Sequence, residues 1–112
     1  MTRKVSLDAT AREQLEAAAR SDARRAATTV VGGHEHVMRQ TVVALVSGAT
    51  MAEHENPGEA TVFVIKGRVR LEAGGETWEA RTGDLIEIPS ARHALHAVED
   101  SAVLLTAVPK SR

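Results

Sequence analysis

The chain has 112 residues and 43% hydrophobic content, enough for one core and too little for a second. Aromatics are only 2%, Phe63 and Trp78, which leaves no stacking surface for nucleic-acid bases, and a net charge of −1 gives no bulk attraction to a polyanion. The absence of cysteine excludes disulfides and thiolate metal ligands.

In chain order, residues 1–5 read as a loose arm or short edge strand. From Ser6 the spacing turns helical: Leu7, Ala11, Leu15 and Ala18 form one stripe, with Arg12, Glu13, Glu16 and Arg20 on the other face. Ser6 or Asp8 caps the helix, and Thr10 with Glu13 forms a candidate capping box. The stripe is mostly alanine, so the helix is expected against the strands or a second subunit. No apolar signal region follows Met1-Thr2-Arg3-Lys4, and no run is long enough to span a membrane. These features predict a soluble cytoplasmic protein with neither a nucleic-acid nor a membrane partner. Arg24-Arg25 reads first as a solvated helix end and second as an anion site.

Ala27–Val31 is β-branched, and Gly32-Gly33 signals a hairpin. In the following run His34, His36, Met38 and Gln40 share one strand face. Residues 42–46 are apolar on both faces, as in a strand between two sheets. Met51–His54 begins the next strand, and Asn56-Pro57-Gly58-Glu59 is a turn. Ala60–Ile65 is a buried strand, and Arg68–Leu71 alternates with Val69 and Leu71 inward. A hairpin at Gly74-Gly75 leads to Thr77–Ala80. Leu85–Ile88 stops at Pro89, His93–Val98 follows, and Ala102–Val108 is the last strand. One helix and eight or nine short strands predict an all-β, antiparallel sandwich or barrel, and no crossover helix supports a parallel sheet. The expected division is an arm, helix and first strand over 1–31, a barrel over 32–108 and a tail over 109–112, within a single domain.

Histidine and carboxylate residues carry the candidate chemistry. His54 and His93 are one plausible pair of metal ligands, with Glu59 and Asn56 as oxygen donors and His36 or His96 as further ligands. On a regular strand His93 and His96 face opposite ways. Gln40, Phe63 and Trp78 are candidate pocket residues, although core packing is the first reading of the two aromatics. No phosphate loop, nucleophile elbow or cysteine nucleophile is present, and no catalytic residue can be named.

Two stretches, GATMAEHENPGEATVFVIKG and GDLIEIPSARHALHA, resemble the paired motifs of the cupin superfamily. The first family motif carries glycine, His-x-His, glutamate and glycine. Gly48, His54 and Gly67 fall on it, with Asn56 at the second histidine, Ala60 at the glutamate and Glu59 one residue early. The second carries glycine, Pro-x-Gly and histidine. Gly83 and Pro89 fall on it, with Ala91 at the second glycine and His93 one residue early. The resemblance implies an antiparallel jelly-roll β-barrel, and a homodimer that covers edge strands. It also implies a divalent metal (Fe, Mn, Zn or Ni) with dioxygenase- or isomerase-type chemistry on a small polar ligand. The alternative is a metal-free cupin that binds or senses a small molecule without catalysis; the Asn56 and Ala60 departures favour it, and the retained His54 and His93 favour the metal reading.

Overall fold

The computed structural model describes residues 2–54 and 58–109, with the backbone alone described at Glu53 and His54. One helix, α1 (Leu7–Arg20), precedes nine strands: β1 (Arg25–Val31), β2 (Arg39–Leu45), β3 (Thr50–His54), β4 (Gly58–Lys66), β5 (Arg68–Ala73), β6 (Glu76–Arg81), β7 (Leu85–Glu87), β8 (His93–Ala97) and β9 (Ser101–Pro109). Ser6 is the helix cap, its hydroxyl accepting from the Ala9 amide at 3.2 Å. The Thr10 hydroxyl instead donates back to the Ser6 carbonyl at 2.8 Å.

The strands form two antiparallel sheets, a five-stranded one in the order β1-β2-β9-β4-β7 and a four-stranded one in the order β3-β8-β5-β6. β1 is thus a full member of the larger sheet, paired with β2 from Arg25↔Leu45 onward. The sheets face each other across an aliphatic core of Val43, Leu45, Val62, Val64, Val69, Leu71, Leu95 and Val103. Strand alternation sends the intervening residues to the outer faces.

Residues 42–46 are all buried. Val43 and Leu45 enter the core between the sheets, while Ala44 and Val46 pack under Ala18, Leu15 and Ala26. The layer over the outer face of β2 is therefore the chain's own helix, not a second sheet. Alanines suit this position, because they let α1 lie close to the strands.

The hairpin loop differs from the sequence expectation. Residues 32–38 form a loop, with Gly33 at φ 110° and the His36 amide donating to the Gly33 carbonyl at 3.2 Å. β2 begins only at Arg39. His34 and His36 are consequently exposed loop residues and not part of a strand face.

The chain crosses from one sheet to the other at Gly67, whose φ is 99°. A Cβ here would run into the Ser101 hydroxyl and the backbone of Asp100 and Ser101. Fully buried Ser101 accepts from the Arg68 amide at 2.9 Å, and its own proton serves the Arg68 or Glu99 carbonyl. Gly48 has a similar φ of 87°, but open space surrounds its Cβ direction.

Gly67→Ala should therefore cost roughly 3 kcal/mol or more, from backbone strain plus overlap, whereas Gly48→Ala should cost about 1 kcal/mol from backbone strain alone. Urea unfolding of the two variants checks this; equal losses would contradict the close-approach account.

Candidate functional site

The end of the barrel formed by the end of β3, the start of β4 and the start of β8 holds the backbone of His54 together with Glu59 and His93. β3 meets β8 with Thr50↔His96, Met51↔Leu95 and His54↔His93, and the register shifts between Met51 and His54. Three steps along β3 match two along β8, which is a bulge. Regular pairing from Met51 would have set Glu53 opposite His93. The bulge brings the His54 backbone into that position instead.

His93 is buried, at 6% exposure, on the inward face with Leu95 and Ala97. Its Nδ1 lies 2.9 Å from the Ala91 carbonyl. A carbonyl only accepts, so Nδ1 carries a proton. Among the described residues, the side chains lining the small space beside His93 are Met51, Val62, Leu71, Ile88, Leu95, Val103 and Leu105. They leave a space of about 10 Å³, room for one water at most.

His96 occupies the opposite face of β8. Its Nε2 donates to Glu72 Oε1 at 2.9 Å, and in the neutral ring Nδ1 accepts from the Thr50 hydroxyl at 3.0 Å. This chain of carboxylate, imidazole and hydroxyl ties three neighbouring strands on the barrel's outer surface.

The other candidates separate. Ala60 packs against the core, so by alternation its neighbour Glu59 is exposed on the outer face. Asn56 lies outside the described residues, and of His54 only the backbone is described. Gln40 pairs with Thr106 on the outer face, its Nε2 donating to the Thr106 hydroxyl at 3.0 Å. Phe63, opposite Leu104, shares that outer face. Trp78 is 41% exposed and lines an open cleft of about 480 Å³ with Leu85, Ile86 and Pro89. It is at most partly packed, since β6 is an edge strand. Among the described residues no group of three His, Cys, Asp or Glu side chains stands ready to hold a metal ion. Of the described candidate donors, His93 faces inward while His96 and Glu59 face outward, so these three do not fit a single divalent ion.

A second cleft was invisible in the sequence. It lies where β1 and β2 overhang β3, has a volume of about 470 Å³, and is lined by Ala23, Arg25, Ala27, Thr41, Val43, Met51, Ala52 and Leu105 with Ala26. Its small alanines carry no motif. Only the Arg24-Arg25 pair marked it.

Comparison with known proteins agrees with this architecture. The cupin domain family matches residues 41–109. A conserved protein of unknown function from Streptococcus pyogenes is similar at 28% identity, covering 82% of this chain and 80% of its own, with a TM-score of 0.72. A cupin superfamily protein from Desulfitobacterium hafniense superposes at TM-score 0.72 and 13% identity, covering 98% and 94%. A salicylate 1,2-dioxygenase from Pseudoaminobacter salicylatoxidans superposes at TM-score 0.74 and 22% identity, covering 90% of this chain and 33% of the enzyme. No curated protein matches the sequence. No helix of the described residues is long and apolar enough to cross a membrane.

The two strand β8 histidines should show opposite neutral tautomers, Nδ1–H at His93 and Nε2–H at His96, in long-range nitrogen–proton NMR spectra at alkaline pH. Diethyl pyrocarbonate mapping should find exposed His34 and His36 modified first and His93 last. Early modification of His93 would contradict its burial.

Proposed function

We propose that this chain, which belongs to the cupin family, works as a non-catalytic small-molecule binding or sensing module that needs no metal. One observation carries the reading: the family's glutamate position is Ala60, packed against the core, and among the described residues His93, His96 and Glu59 do not converge on one point. Glu59, the nearest carboxylate in sequence, sits on the outer face of β4 and cannot serve the same point without a change of register. With space for one water around His93, a ligand's room is in the open clefts at the sides of the barrel.

A metal-holding reading has one specific support. The bulge in β3 sets the His54 backbone across from His93, and the His93 ring is oriented by its Nδ1–H bond to the Ala91 carbonyl. Iron, manganese, zinc or nickel would then be the ion, and dioxygenase or isomerase chemistry the activity. Two imidazoles without a third protein donor hold such ions weakly.

We further propose a cytoplasmic homodimer. Trp78 and Leu85 are exposed at edge strands β6 and β7, where a second copy would cover them.

Protein purified without a nickel column should contain less than about a tenth of an equivalent of metal, and added iron, manganese or zinc should leave its melting temperature unchanged. Stoichiometric metal that is lost in His54→Ala and His93→Ala would replace the first reading with the second. Light scattering should give twice the 11.9 kDa chain mass, and Leu85→Asp should shift it toward the monomer. A wild-type protein of single-chain mass at micromolar concentration would remove the dimer.

A further inference from the structure

We propose that the cleft between β1, β2 and β3 binds a small monocarboxylate with an apolar body, its carboxylate held by Arg25. This deepens the reading of the chain as a small-molecule binding module and rests on it. The cleft's volume of about 470 Å³ lies in the roughly 300–1,000 Å³ range of small-molecule sites. Its walls are Ala27, Val43, Met51, Ala52 and Leu105, so the bulk of any occupant must be apolar.

Arg25 is the one charged side chain lining the cleft among the described residues. The backbone at Arg24 turns through φ 62°, and β1 starts immediately after it. Register with Leu45 then puts Arg25 on the cleft face. Its Nη1 donates to the Thr50 carbonyl on β3 at 3.0 Å, which fixes the guanidinium across the cleft. A guanidinium has five N–H donors in a rigid fork, so one bond to Thr50 leaves the geometry that grips a carboxylate. Thr41, whose hydroxyl lies 3.4 Å from that of Thr29, adds a second polar point on the floor.

One cation in an apolar cleft selects a single negative charge. An ammonium would be repelled, and a neutral occupant would desolvate the guanidinium without replacing its water. The floor residues Met51 and Leu105 also line the small space beside His93. A ligand seated in the cleft therefore presses on the packing of the barrel centre, which is the coupling a sensing module needs.

The test is titration of the full chain with octanoate, octanol and octylammonium, read by the Met51 methyl resonance and by calorimetry. Octanoate should bind saturably and shift the Met51 signal. Octanol and octylammonium should bind at least about ten-fold more weakly, since a hydrogen bond to a charged group contributes on that scale. Arg25→Gln should weaken octanoate about ten-fold. Arg25→Lys should restore part of the loss, and Ala27→Phe should abolish binding by filling the cleft. Circular dichroism confirms that each variant folds. Equal affinity for octanol or octylammonium, removed by Ala27→Phe, overturns the carboxylate assignment while leaving the binding module standing. Octanoate binding untouched by Arg25→Gln does the same. If none of the three binds and Ala27→Phe changes nothing, both the assignment and the cleft as a ligand site fall.

Discussion

The two sheets depend on the close contact where β4 hands over to β5. Every ladder hydrogen bond runs within a sheet, so the sheets are joined by packing, by chain crossings and by side-chain hydrogen bonds such as those of Ser101 and Arg25. At Gly67 the crossing chain lies against Asp100 and Ser101, at the start of β9. The Ser101 hydroxyl then bonds to the Arg68 backbone across the boundary. A hydroxyl can both accept from an amide and donate to a carbonyl, so this buried polar residue joins the layers while its own hydrogen bonds are made.

From that junction the aliphatic core follows. With two aromatic residues, both outside the buried core, the space between the sheets is filled by valine, leucine and isoleucine. These pack densely, and the barrel centre is nearly solid around His93. Open volume is displaced to the flanks, beside β6 and β7 on one side and beside β1 and β3 on the other. The chemistry of the molecule therefore belongs to its seams.

Most of the fold was legible. Turn glycines, proline at the end of β7 and alternation in β5 located the strands to within a few residues, because each reports backbone geometry directly. The capping serine and alanine stripe located α1. The His34–Met38 segment was misread because alternating residues mimic a strand, while the Gly32-Gly33 turn extends into a longer loop. The candidate site was less legible. Face assignment along β3 depends on a bulge, which no residue type announces. The Glu59 side follows from Ala60 packing inward, a fact of register. The cleft at β1 is built from alanines that carry no signal and from an arginine that reads as ordinary surface.

The bulge in β3 carries a consequence for how such a barrel changes over time. Glu53 and His54 are adjacent, and the register alone decides which of them stands opposite His93. A single step of strand slippage would therefore put Glu53 in the place of His54 without altering either residue. The identity of the residue paired with His93 is set by the backbone, and a substitution or deletion that relaxes the bulge would change it from a distance.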